Sequence, residues 1–501
     1  MSAGLSHYDW ARARQIMPGR MTSGQIISGQ IVSGRTVSGM AKQLVAVALM
    51  LLATSACVTA PAPAPASPPT PTPTPTPTNL TAVVFAESAE SAAHAAKVVR
   101  ARITHKLPLI DAVGATISEE QLAALSQNET VSRIVVSTKE NGLVAHSAPD
   151  EEVTSWLTSS QARNASNHLL LQYMSDAAPS RTGKGVGVAI IDTGLSGSPS
   201  FGSEIPALVG SYNALTGEQD PIDDRTGHGT HLASLLSGFG ETFSGIAPQA
   251  KIVAIKAFDS EDRASALDII DAVQWVLNNR ARYNIRILNL SVSASTELPY
   301  HIDPLNMALT QAWIQGLVVV VSAGNEGPRP SSVTAPGNNP WLITVGAADY
   351  STDGQWRSVA PFSGRGPTDS GHIKPDIVAP GTLLAGLRPA HAIRPEGEPD
   401  HFDAQGNWIA SGSSQASAVV SGMIAVLLEA RPELSNHDVK CLLANTALPL
   451  QGSHDATSSP FSQGRGFINL KAALTSTDMS CEESLEGSDP AVPVKGAYQP
   501  N

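Results

Sequence analysis

The chain has 501 residues, of which 42% are hydrophobic, 5% aromatic and 15% charged. With 32 Lys+Arg against 44 Asp+Glu the formal net charge is −12, and the clustered positive charge that a phosphate backbone demands is missing, which argues against nucleic acid as a partner. Three cysteines, Cys57, Cys441 and Cys481, are too few to frame a disulfide-built miniprotein, and no Cys-x-x-Cys pair marks a zinc site.

Residues 1–39 repeat Ser-Gly at Ser23, Ser28, Ser33 and Ser38 with little apolar content. They cannot build a core and read as a non-native or disordered extension, with Met40 as the biological start. Residues 40–57 read as a leader: a basic Met40-Ala41-Lys42, an apolar run from Leu44 to Ala53 that is short for a bilayer, then small residues. Thr54-Ser55-Ala56-Cys57 resembles a bacterial lipobox, with Thr54 where Leu is usual; a lipidated Cys57 would anchor the chain to a membrane. Ordinary cleavage after Ala60 competes with this reading. Both export the chain, so the expected location is secreted or attached to a bacterial envelope. Residues 58–79 alternate Pro with Ala or Thr; proline fixes φ and removes a donor, so this segment is an extended tether.

Residues 80–148 form a small unit. Strands are expected at 82–85, 109–117 and 131–136, and helices at 89–102 and from 119, with Ser118 and Gln121 set as a capping box. Two strand-helix-strand passes make an α+β sandwich. From 149 to 475 short β-branched runs (187–191, 252–256, 285–290, 317–321 and 342–345) alternate with helical patterns such as Leu267, Ile270, Val273 and Leu277. Strands apolar on both faces suit a buried parallel sheet with helices on both sides, an α/β fold. Residues 476–501 are acidic and polar and read as a loose tail. Spacing leaves open whether Cys441 and Cys481 pair.

Three segments carry chemistry, and ligand sites of open parallel sheets lie beyond the carboxyl ends of strands. Val186 to Ile191 ends abruptly in Asp192-Thr193-Gly194; alone, such an Asp is more often a turn or cap residue. Thr226-Gly227-His228-Gly229-Thr230-His231 precedes a helical pattern. Its two histidines share a helix face, but no third metal ligand is near and no Glu lies between them, so His231 reads as structural. Gly412-Ser413-Ser414-Gln415-Ala416-Ser417 opens another helix, where a serine is most often a cap, yet small neighbours leave its hydroxyl reachable and free N–H groups favour anionic charge.

Together these segments resemble the subtilase family of serine proteases, in the Asp, His, Ser chain order of that family. Val319 to Pro328, with Ser322-Ala323-Gly324-Asn325, resembles its oxyanion segment, and Gly245-Ile246-Ala247-Pro248, Ala335-Pro336-Gly337 and Lys374-Pro375-Asp376 add context. The stretch from Ala112 to Leu122 looks like the inhibitory pro-domain of subtilases. The resemblance implies a serine endopeptidase with Asp192, His228 and Ser414 as its triad, Asn325 at the oxyanion, a polypeptide substrate, and the chain's own pro-domain (80–148) as intramolecular inhibitor of a catalytic domain at 149–475. It also implies substrate contacts at Ser291-Val292-Ser293, where the family has Ser-Leu-Gly, and at Thr334 near the floor of the pocket. Ser293 in place of Gly should crowd that pocket and favour modest side chains just before the scissile bond.

The family pattern around the nucleophile is Gly-Thr-Ser-Met-Ala-x-Pro; here Ser413, Gln415 and Ala418 replace Thr, Met and Pro. Loss of the proline is expected to soften the start of the helix. This altered shell supports an alternative, a catalytically degenerate subtilase acting as an envelope binding or scaffolding lipoprotein. No cofactor or metal is expected at the site. Calcium, common in the family, has no assignable site: the loop from Gly238 to Ser244 holds one acid, Glu241, and Asp220, Asp223 and Asp224 read as a solvated acidic loop. Residues 386–408 read as an inserted surface loop.

Overall fold

The computed structural model describes residues 79–137, 143–144, 170, 173–174, 176–178, 180–196, 207–219, 223–238, 244–296, 298–350, 356–389, 391–392, 402–403, 406–450 and 459–481. The extension, the leader with Cys57, most of the tether, Asp220 and Glu241 lie outside them.

Near the N-terminus, β1 (Leu80–Ala86), α1 (Ala89–Val98), β2 (Arg102–Leu107), β3 (Ala112–Ile117), α2 (Glu119–Ser126) and β4 (Val131–Ser137) build an antiparallel sheet in the order β2-β3-β1-β4. The capping box forms: Gln121 N donates to Ser118 Oγ at 3.2 Å and Ser118 N to Gln121 Oε1 at 2.8 Å. The helix expected to reach 102 stops at Val98, Arg100 turns into the left-handed region at φ 59°, and β2 follows as an edge strand of alternating exposure. The strand expected from 109 begins at Ala112, because Pro108–Ile110 form a 3₁₀ turn and Asp111 is left-handed at φ 53°. Val84, Val113, Ala115 and Ile117 pack on the helices of this unit, whereas Val83, Phe85, Leu107 and Ala112 merge with the larger core. Gly114 touches that core closely; a Cβ there would lie 2.7 Å from the Leu267 methyls.

The larger sheet contains β6 (Gly187–Asp192), β7 (Leu208–Asn213), β8 (Lys251–Lys256), β10 (Ile285–Leu290), β11 (Val318–Ser322), β12 (Ile343–Tyr350), β13 (Trp356–Val359) and β14 (Ile377–Pro380). Its order is β13-β12-β11-β10-β6-β8-β7, with β14 beside β12. All pairings are parallel except β12 with β13. That edge strand returns after a short connection, which permits a hairpin but not a parallel crossover. Sequence reading missed β7 because it is a half-exposed edge without a continuous apolar run. Every residue of β6 and β11 is buried, which requires cover on both faces.

The cover comes from helices that pack in pairs: α3 (His228–Ser237) with α6 (Ser413–Ala430), and α4 (Ala266–Tyr283) with α5 (Pro304–Ile314). Two short ribbons are added, β5 (Leu143–Val144) with β9 (Arg263–Ala264) and β15 (Leu384–Gly386) with β16 (Trp408–Ala410). The expected surface insertion thus begins and ends in the second ribbon. The chain leaves β6 for β7 and β8 on one side and then returns past it to β10, so the strand order reverses beside β6, opening a crevice at its carboxyl end.

The remaining helices are α7 (Asn436–Thr446), α8 (Pro460–Gln463) and α9 (Leu470–Thr475). Cys441 on α7 forms a disulfide with Cys481, their Cα atoms 5.2 Å apart. Residues 476–481, assigned from sequence to the loose tail, are therefore tied down. Asn445 Nδ2 donates to Ser480 O at 2.8 Å and Arg431 Nη1 to Ser476 O at 2.7 Å.

Candidate active site

Asp192 closes β6 and is 1% exposed. Its Oδ1 accepts from Thr193 N at 2.8 Å and from His228 Nδ1 at 2.7 Å, so the turn-forming and the His-orienting readings hold in one carboxylate. His228 opens α3 after Gly227, whose φ of 94° is easy only for glycine. A Cβ on Gly229 would fall 2.2 Å from Gly194 O, so that glycine lets the helix start lie against the β6 turn.

No side chain caps α3 in the ordinary way. Its first N–H groups are instead satisfied from the end of β6 and from the loop just before the helix. Gly229 N donates to Thr193 Oγ1 at 2.9 Å, Gly227 N to Asp224 Oδ1 at 2.8 Å, and Thr230 N to Asp224 Oδ2 at 2.8 Å. Asp224 also accepts from the hydroxyls of Thr193 and Thr230 at 2.9 and 2.6 Å. This corrects the expectation of a solvated acidic loop. Asp224 is wholly buried and its oxygens are spent on positioning His228, while Asp223 pairs with Arg225 at 3.1 Å and His391 at 2.8 Å. Among the described residues, the one cluster with metal-ligand spacing is His437, Cys441 and Cys481, and its two sulfurs are joined to each other.

Burial opposes protonation of His228, but the Asp192 carboxylate outweighs it by charge and hydrogen bond, aided by Asp262 and Asp224, so the imidazole lies above its ordinary value. Its Nε2 is buried and has no hydrogen-bond partner among the described residues. His231 behaves oppositely: burial first, then the nearby His228, hold it down to about 3. It sits against the carbonyls of Leu384 and Trp408 at 3.2 and 3.1 Å and edge-on to the Trp408 ring, the structural role expected of it.

Ser414 lies in the first turn of α6 and is 3% exposed. The cap position is Gly412 and no side chain caps the helix, so Ser414 is not held there as a cap. Ala418 lies inside an unbroken helix, and the missing proline leaves the helix start intact. Ser413 donates from both N and Oγ to Asn325 Oδ1 at 2.9 Å, which fixes that end of the Asn325 amide and leaves Nδ2 as the other. Gln415 is fully buried, and neither atom of its amide has a hydrogen-bond partner among the described residues.

Ser291 and Val292 follow β10 and are both buried. The Ser291 hydroxyl lies 2.7 Å from Ser417 Oγ and donates to Asn289 Oδ1 at 3.3 Å, and Asn289 Nδ2 reaches Ser421 Oγ at 3.0 Å. The Ser291 side chain therefore ties α6 to the sheet. Ser293 is half-buried. Thr334 packs against Gly324, where a Cβ would meet its Oγ1 at 2.3 Å, so it lies one residue from Asn325.

The sequence pattern of the Peptidase_S8 subtilase family matches residues 183–466. The chain belongs to the subtilase family. It is 35% identical over 281 residues to serine protease AprX of Bacillus subtilis, a match covering 53% of this chain and 61% of that protein. It is 30% identical over 344 residues to bacillopeptidase F of the same organism, covering 62% and 22%. Against subtilisin BL of Lederbergia lenta it is 30% identical over 296 residues, covering 58% of this chain and 91% of that protein. The chain thus spans less than two thirds of the first two relatives. Its structure is similar to that of fervidolysin from Fervidobacterium pennivorans, a keratinolytic enzyme related to subtilisin, with a TM-score of 0.59 at 23% identity over 80% of this chain and 61% of that one, a likeness of fold.

In this subtilase, sequence reading missed Asp224 and Thr193 as supports of the His228 helix, and Asn289, Ser417 and Ser421 as supports of the Ser414 helix. Asp224 stands four residues before His228, and that short spacing was the available signal. The Asn289 network had none, because its members are far apart in the chain.

Proposed function

We propose that this subtilase is a serine endopeptidase that works through an acyl-enzyme. The observation that carries the reading is the buried 2.7 Å hydrogen bond between His228 Nδ1 and Asp192, with His228 Nε2 buried and without a hydrogen-bond partner among the described residues. With Nδ1 donating to Asp192, Nε2 is the basic nitrogen. It takes the proton as Ser414 Oγ attacks a peptide carbonyl, then delivers it to the leaving amine, and Asp192 stabilises the imidazolium between the steps. Asn325 Nδ2 and the Ser414 backbone N–H hold the oxyanion; losing one such donor costs on the order of 10²–10³ in kcat. Water then repeats the sequence to release the acid.

The substrate is a polypeptide bound as an added strand, with a modest side chain before the scissile bond. The N-terminal unit acts as intramolecular inhibitor, and the leader exports the chain to the envelope or beyond, with Cys57 as lipid anchor. A fluorophosphonate probe on the exported protein tests the core of this reading. Labelling that disappears in Ser414→Ala and drops sharply in His228→Ala is the expected result. No labelling, or labelling that survives Ser414→Ala, favours a catalytically degenerate binding protein instead.

A further inference from the structure

Residues 259–263 form a closed turn just before β9. Asp259 N donates to Arg263 O at 2.8 Å, and Asp259 Oδ1 accepts from Glu261 N at 2.9 Å and Arg263 N at 3.0 Å. The local cation, Arg263, is spent on the outside of the turn, 2.7 Å from Glu261 and 3.4 Å from Asp259. Asp262 faces the other way. It is left-handed at φ 58°, a conformation an aspartate adopts only at a cost, and its Oδ1 is buried without a hydrogen bond among the described residues.

This carboxylate lies close enough to His228, Asp192 and Asp224 for charge to act between them. Lys256 reaches the same group of acids, but its ammonium donates to Thr193 O. Burial comes first in disfavouring the charged form of Asp262; a hydrogen bond from Thr226 and the nearby His228 offset it in part, and the carboxylates of Asp192 and Asp224 add to it. A desolvated acid with an unmet oxygen among like charges is a standing cost that an incoming cation relieves.

The same turn adjoins a peptide-pairing edge. β5 runs antiparallel to β9, with Leu143 opposite Ala264 and Val144 opposite Arg263. A substrate peptide that takes the place of β5 in that register brings its next residue opposite Asp262, the carboxylate whose charge acts on His228. The residues that pass Asp262 are therefore those preceding the bond presented to Ser414.

We propose that Asp262 is a specificity-determining residue that selects substrates with a lysine or arginine side chain at one position on the N-terminal side of the scissile bond. The proposal rests on the endopeptidase reading above and names a substrate class for that site.

The test uses the full chain as expressed and exported, with internally quenched peptides carrying Lys, Ala or Glu in turn at each of the four positions before the cleaved bond. At one position the kcat/KM ratio of Lys to Glu should be about 10- to 100-fold, the range a charge-assisted hydrogen bond supplies. It should fall to within about 3-fold in Asp262→Asn, persist in Asp262→Glu and invert in Asp262→Lys. Because a ratio is read, a general loss of activity does not count. The same peptides are titrated by fluorescence anisotropy against Ser414→Ala and Ser414→Ala/Asp262→Asn. Hydrolysis with no Lys preference, or with one that survives Asp262→Asn, overturns the proposal and leaves the endopeptidase reading standing. Absent hydrolysis with Asp262-dependent binding of the Lys peptide sinks that reading and keeps Asp262 only as the residue that selects a basic side chain in a bound peptide. Neither hydrolysis nor selective binding overturns both.

Discussion

In the proposed mechanism a protonated His228 cannot accept the Ser414 proton, so the direction of its shift sets the acid side of the expected activity profile. The neighbouring carboxylates hold it above 6.5 against the opposing effect of burial. The acid limb of kcat/KM should therefore have its midpoint above 6.5, with activity rising as His228 loses its proton. Asp192→Asn should cut kcat by about 10⁴, because the imidazole loses both its orientation and its counter-charge. Steady-state kinetics across pH check both; a midpoint below the ordinary histidine value would contradict the burial and pairing described. Among the departures from the family pattern, Ser413 supplies from its hydroxyl and amide a grip on Asn325. Nothing in the structure explains Gln415.

At the scale of elements, the two helices that carry the site begin differently from those elsewhere in the chain. α2 and α7 have local capping boxes, at Ser118 with Gln121 and at Ser435 with Asp438. The first was legible in the sequence because donor and acceptor lie within one turn. α3 begins at two glycines and takes its support from Asp224, in the loop just before it, and from Thr193, a strand end that only the fold brings to it. Removing Asp224 leaves several buried donors unpaired. Asp224→Ala should cost about 3 kcal/mol or more in urea unfolding and lower kcat/KM more than KM alone explains, since His228 would no longer be held. Unchanged stability would mean that water replaces the carboxylate without loss.

For the molecule as a whole, the disulfide between Cys441 and Cys481 closes a loop with a sequence separation of 40 and fastens the segment after α9 to α7. Cys481→Ser, or reduction, should lower the unfolding free energy by about 2–4 kcal/mol, measured by chemical denaturation with and without reductant. The N-terminal unit makes a second large-scale contact. One face of its sheet shares the main core, and His105 Nε2 lies 3.1 Å from Asp268 on α4. Gly114→Val places a side chain where the Leu267 methyls already stand, so amide exchange across β1–β4 should accelerate while that of β6 and β11 stays slow. Equal exchange in the two proteins would show that the interface accommodates the added methyls.

Chain order, the alternation of short β-branched strands with helical patterns, and the Gly-rich settings of Asp192, His228, Asn325 and Ser414 were legible without coordinates, because each is a local pattern of residue types along the chain. Edge strands β2 and β7 were not, since partial exposure erases the apolar run that marks a strand. The pairing of Cys441 with Cys481, the burial of Asp224, the loss of the Ser291 hydroxyl to the Ser417 network and the inward turn of Asp262 depended on the tertiary structure. Each is a matter of which groups distant in sequence share one buried volume, where a polar atom must find a partner or bear the cost of lacking one.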